Sequence, residues 1–246
     1  MKKIIFHLLI CVLVIFGCSK EELTSVSPNA DDSLSVELKN QILEEKRKNE
    51  LKNQFEHSRY MQLLLKYKPV IKKYSKRYGF DWRLITAQIM QESKFKEQAR
   101  SPVGARGLMQ LMPETAKDIS RELDILYILK NPRENIAAGI YHLKKQYAYF
   151  PNADFTNRTK LSLASYNCGI GRIFDAQEIA RFFQRSPNKW KYIRVYLTML
   201  KNTDWELHLQ VWPQGKPKYG YFYGYEETIT YVDKIWEMYD VYREIF

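Results

Sequence analysis

The sequence predicts an all-α domain, and three observations lead there. Between Tyr60 and Phe246, apolar residues recur at three- and four-residue spacing in stretch after stretch, the period of a helix buried on one face. Helix-stopping signals separate these stretches: Gly79, Asn131-Pro132, Gly169 and Gly171. Alternating apolar and polar runs that would pair as strands are missing, except that the aromatic stretch near 205–225 allows one short β-ribbon.

The elements follow in order. Lys2 and Lys3 precede an apolar run from Ile4 to Phe16, the length of a signal-peptide core and short for a membrane span. The run ends at Gly17-Cys18, which resembles the lipobox of bacterial lipoproteins. That resemblance implies a signal peptide over 1–17 and lipids on Cys18; the alternative is an ordinary signal peptide cut nearby. Residues 18–57 read as a lipid-anchored tether followed by a helical stalk. Ser19 to about Asn40 is polar, and the Glu-, Lys- and Leu-rich stretch to His57 has only a thin apolar stripe. Lys20-Glu21-Glu22 resembles acidic signals that sort some lipoproteins to the cell surface.

From Tyr60, residues Leu63, Leu64, Tyr67, Val70, Ile71 and Tyr74 give a helix that Gly79 ends. Asp81 caps the next, Trp82 to Lys94. Pro113 opens a helix to about Leu123, and Glu134 to Tyr149 forms a long one. Pro151 to Asn157 reads as a loop, and Leu161 to Tyr166 as a short apolar helix. Further helices are expected to about Phe183, over Trp190 to Leu200, and over Glu226 to Tyr242, with an irregular aromatic segment between the last two.

The formal charge is +11, which suits an anionic partner. The basic residues are dispersed, as in Lys72/Lys73 and Lys144/Lys145, which argues against a nucleic-acid arm. Eighteen Tyr and five Trp are enough for some to line a wet groove. Cys11 leaves with the signal peptide and Cys18 is the anchor, so Cys168 stands alone and no internal disulfide is expected. The four histidines show no ligand spacing, so neither a metal nor a cofactor is expected.

The chemistry is expected at Glu92. It shares a helix face with Ile85, Gln88 and Ile89, so its carboxyl is pressed against apolar surface, which raises its pKa as a general acid requires. A glycine-punctuated loop, Ser101 to Gly107, follows.

Four blocks then resemble one family, in its order and over roughly Tyr60 to Phe246: Glu92-Ser93, GLMQLMP from Gly107 to Pro113, SYNCG from Ser165 to Gly169, and Glu227-Thr228 with Tyr231-Val232. These are similar to the lytic transglycosylases of the soluble-lytic-transglycosylase (SLT) type. The resemblance implies a lysozyme-like multi-helix fold of the goose type, with a long substrate groove, over 58–246. It looks closest to the catalytic domain of the membrane-bound murein transglycosylases; their upstream solute-binding domain is not expected here. The resemblance makes Glu92 the one catalytic carboxylate. Ser101, which would hydrogen-bond it, Tyr166 and Glu227 support it. Met109, Gln110, Asn167 and Tyr231 contact the glycan. Cys168 stands where Ala is common and reads as a packing residue.

With a single acid, Glu92 would first protonate the oxygen between N-acetylmuramic acid and N-acetylglucosamine. It would then take the proton of the muramic C6 hydroxyl, which closes a 1,6-anhydro ring. Two other readings stay open. A hydrolytic muramidase of the same fold needs a second acid, for which Glu97, Asp118, Asp175 and Glu226 are candidates. A non-catalytic glycan-binding lipoprotein needs none. Expected partners are peptidoglycan strands, the membrane through the lipid anchor and other cell-wall enzymes. The expected location is the outer membrane facing the periplasm, with surface exposure an alternative.

Overall fold

The computed structural model of the protein describes residues 59–246 and, upstream, residues 38, 39, 41–43, 45, 46, 49, 50 and 53. The expected signal peptide, Cys18 and the tether lie outside the described residues. Those described upstream of Arg59 are helical and exposed, and no helix among the described residues is long and apolar enough to cross a membrane.

The helices are α1 Arg59–Tyr78, α2 Trp82–Ser93, α3 Pro113–Leu123, α4 Pro132–Ala148, α5 Phe155–Cys168, α6 Ile170–Phe182, α7 Trp190–Tyr196, α8 Trp205–Val211 and α9 Tyr225–Ile245. Two single 3-10 turns, Leu197–Met199 and Asn202–Asp204, lie between α7 and α8. Asp81 caps α2 as expected, and Asn131, read as a break, caps α4, which starts two residues ahead of the expected Glu134. Asp81 accepts from the Arg83 N–H, and Asn131 accepts from the N–H groups of Arg133 and Glu134.

α9 lies against both α2 and α5, α1 against α2 and α4, and α4 against α5. The apolar stripes meet in one core, where Leu84, Ile85, Ile89, Leu163, Ala164, Val232 and Ile235 are fully buried. A smaller cluster of Leu111, Ala116, Ile119, Ile128 and Ala138 seats α3 beside α4.

Two expectations are corrected. The loop expected over Pro151 to Asn157 ends earlier, because Asp154 accepts the N–H of Asn157 at 3.0 Å and starts α5 at Phe155. The short ribbon allowed near 205–225 is not formed. Trp205–Val211 is helical, and the rest forms no strand. Lys218 and Tyr219 donate their N–H groups to Asp175, and Phe222 donates to the carbonyl of Leu200. The described residues hold only isolated bridges, Arg100 with Arg106 and Arg106 with Leu111, both in the glycine loop.

Candidate active site

Glu92 sits in the last turn of α2, and the chain after it cannot fray easily. Lys94 and Phe95 follow with φ of 51° and 57°, and Phe95 is buried in the core. Two consecutive left-handed residues reverse the chain sharply at a cost that packing of the Phe95 ring must offset. The Ser93 hydroxyl donates to the Ile89 carbonyl at 3.2 Å and ties down the same turn.

Glu92 Oε1 accepts a hydrogen bond of 2.5 Å from the Tyr231 hydroxyl of α9. The Tyr231 oxygen in turn accepts from Gln88 Nε2, one turn earlier on α2, at 3.1 Å. Burial pushes the Glu92 carboxyl up to about 8; the Tyr231 hydrogen bond pulls it down, and the negative charge of Glu227 adds to the rise. The C-terminal end of α2 acts in the same direction, since its dipole disfavours an anion. Burial, with the Glu92 charge second, also holds the hydroxyls of Tyr166 and Tyr231 well above the usual phenol range, so both are donors.

The glycine loop is clamped to α4. Asn135 is buried and accepts the Met109 N–H at 2.8 Å while donating to the Arg106 carbonyl at 3.1 Å. Gly107 has φ +83°, and a Cβ there would stand 2.5 Å from the Asn135 side chain. Met109 fits against Gly139, where a Cβ would meet the Met109 Cβ at 2.5 Å. The Tyr166 hydroxyl donates to the Met109 carbonyl at 2.7 Å and joins α5 to the loop.

The expected site residues lie as follows. Met109, expected against the glycan, is fully buried and offers it no side-chain surface. Gln110, also expected on the glycan, turns its amide inward, donating to Gly107 at 2.8 Å and Ala99 at 3.2 Å. Its φ of 44° belongs to that tight turn. Ser101, expected on Glu92, instead accepts the Ala105 N–H at 3.0 Å and shapes its own loop. Tyr231, expected on substrate, is the group that hydrogen-bonds Glu92. Tyr166 faces the carboxylate by charge but bonds the loop. Glu227, in the exposed first turn of α9, acts on Glu92 through space. Asn167 accepts from the Thr228 hydroxyl at 2.7 Å and holds α5 to α9.

Of the acids weighed as a second carboxylate, Glu97 pairs with Lys66 and Asp118 with Arg121. Glu226 is exposed in the first turn of α9. Asp175 is buried and uses both oxygens on the backbone of Lys218 and Tyr219. Arg172 donates to the carbonyls of Tyr219 and Gly220, so α6 grips the aromatic segment from both sides. Tyr219, Tyr221 and Tyr223 are left exposed. Burial pushes the Cys168 thiol up to about 12, which removes it as a nucleophile at neutral pH.

Asn135 and the Gln88 amide are missed by sequence reasoning. A polar side chain beside Ile136 and another between Ile85 and Ile89 are the only traces they leave.

Residues 69–189 match the family model described as the Transglycosylase SLT domain, and the chain carries a domain of that family. The chain is 34% identical over 191 residues to the membrane-bound lytic murein transglycosylase F of Desulfosudis oleivorans, which covers 76% of this chain and 38% of that protein. It is 33% identical over 181 residues to the enzyme of the same name from Marinobacter nauticus, covering 72% of this chain and 33% of that protein. The chain thus spans between about a third and two fifths of these curated relatives. The solved structure of an inactive mutant of the lytic transglycosylase Slt from Pseudomonas aeruginosa is 30% identical over 72% of this chain and 24% of that one, with a TM-score of 0.46.

Proposed function

We propose that the protein is a peptidoglycan lytic transglycosylase that cleaves the bond between N-acetylmuramic acid and N-acetylglucosamine and leaves 1,6-anhydro ends. The observation that carries this reading is the state of Glu92, a half-buried carboxyl that keeps its proton to about 8 and holds one phenol on Oε1. A protonated acid is what the glycosidic oxygen needs. Once it has given its proton, the same carboxylate is a strong base for the C6 hydroxyl. Water need not be the attacking group, because the second acids weighed are ion-paired, exposed or engaged with backbone.

In this reading Glu92 is the catalytic residue, and Tyr231 and Glu227 set its charge state. Tyr166, Ser101, Met109, Gln110 and Asn167 act mainly by holding the wall against which the sugar lies. The exposed rings of Tyr219, Tyr221 and Tyr223 suit the faces of sugar rings. The division into a signal peptide over 1–17, a lipid-anchored tether and stalk over 18–57 and a catalytic domain over 58–246 belongs to the same proposal, as does attachment through Cys18 to the cell envelope.

Incubation of the full chain with purified sacculi tests it. Released muropeptides one water lighter than reducing-end products are expected, and Glu92→Gln is expected to release none while its circular dichroism stays that of the wild type. Reducing ends would make it a muramidase, and binding without turnover a glycan-binding lipoprotein.

A further inference from the structure

We propose that Gln88 is a positioning residue: it fixes the direction of the hydrogen bond between Tyr231 and Glu92, and so keeps the acid proton of Glu92 on Oε2. This rests on the reading of Glu92 as the acid.

A phenol has one proton to give. Gln88 Nε2 can only donate, and it points at the Tyr231 oxygen at 3.1 Å. The Tyr231 proton is therefore left for Glu92 Oε1, at 2.5 Å. A carboxylic acid with one oxygen accepting so close a donor carries its own proton on the other. Were the chain reversed, the Glu92 proton would lie on Oε1, aimed at Tyr231 and into the protein. The Tyr231 proton would then need an acceptor at Gln88, where Nε2 offers none and only a turned amide, with Oε1 toward Tyr231, would supply one.

Gln88 is fully buried, and its Oε1 has no hydrogen-bond partner. A leucine or methionine there would avoid that unpaired oxygen, so packing alone does not explain the amide; its donor does. The titratable groups that face Glu92 are Tyr231 and Glu227 from α9 and Tyr166 from α5, and only Tyr231 hydrogen-bonds it.

The test uses the full chain with 13C-labelled glutamate, the Glu92 carboxyl resonance being the one that Glu92→Gln removes. In Gln88→Met the Tyr231 proton is free to turn, and a protonated Glu92 can donate to the phenol. The Glu92 titration midpoint is expected to rise above that of the wild type. The rate constant kcat on sacculi is expected to fall about tenfold, the size of one misdirected hydrogen bond, with KM changed by no more than about twofold. In a Tyr231→Phe background, Gln88→Met is expected to move neither the midpoint nor kcat further. Gln88→Leu serves if Gln88→Met does not fold. In the wild type itself, the 15N resonance of the Gln88 amide is expected to follow the Glu92 titration, and to stop doing so in Tyr231→Phe. An unmoved midpoint, an additive loss in the Tyr231→Phe background, or a Gln88 amide that ignores Glu92 would overturn the proposal. A wild-type chain that releases nothing from sacculi would instead overturn the enzymatic reading, which the titration does not depend on.

Discussion

Glu92 keeps its proton to about 8, and this acts on rate and on stability in different ways. In the proposed reaction the first step needs the protonated form, so kcat/KM is expected to fall as pH rises through about 8. For stability, the folded chain binds this proton more tightly than the unfolded chain. Unfolding therefore becomes easier as pH rises from the ordinary glutamate range toward about 8. Glu92→Gln cannot ionise, yet its amide oxygen still accepts from Tyr231. Its melting temperature is expected to match the wild type near pH 4 and to exceed it near pH 9, read by calorimetry at both; a gap that is constant with pH would contradict the burial described. Gly107 allows a second expectation. An alanine there meets both a φ of +83° and the Asn135 side chain at 2.5 Å, so Gly107→Ala is expected to cost about 1–3 kcal/mol in urea unfolding.

At the scale of the element, the aromatic segment before α9 depends on a side chain outside it. Asp175 holds two of its N–H groups, and Asp175→Ala would leave both without a partner, at a cost on the order of 2 kcal/mol. Faster tryptic cleavage after Lys218 is the expected sign, seen as a shortened half-life in limited proteolysis. This segment is also where the sequence was least legible. The helices announce themselves through period and start signals: Asp81 and Pro113 both stand where a helix begins. A carboxylate on α6 that holds a segment some forty residues later leaves no local pattern, and Asp175 in isolation reads as a surface charge. The same limit explains the site. Glu92 was legible from its helix face, and the blocks that approach it from the resemblance. Who bonds whom was not, because Ser101 and Gln110 turn into their own loop and Tyr231 reaches across from α9, which only the packing decides.

Across the whole molecule, α9 joins the parts. Its first turn carries Glu227 and Thr228, its next turn carries Tyr231 to Glu92, and its end lays Phe246 on Trp82 with ring centres 5.6 Å apart. The excess of positive charge is spread over the chain, 39 Lys and Arg against 28 Asp and Glu, so long-range attraction to an anionic wall should be diffuse and sensitive to salt. Binding of Glu92→Gln to sacculi is expected to weaken several-fold between about 0.05 and 0.5 M salt, measured by co-sedimentation. An unchanged bound fraction would assign binding to uncharged contacts. The grip of α6 on the aromatic segment has one further consequence. Asp175 and Arg172 hold main-chain atoms only, so Tyr219, Tyr221 and Tyr223 are fittings on a fixed mount. Tyr223 can be exchanged for another ring, or for none, without moving the mount, whereas Tyr221 stacks on the buried His208 with ring centres 5.9 Å apart and takes only another ring. Tyr219 is less free, because it lies where a Cβ on Gly171 would stand. A library built at position 223, with aromatic residues only at 221, would therefore vary the rings this segment presents while leaving Glu92 and its protonation untouched.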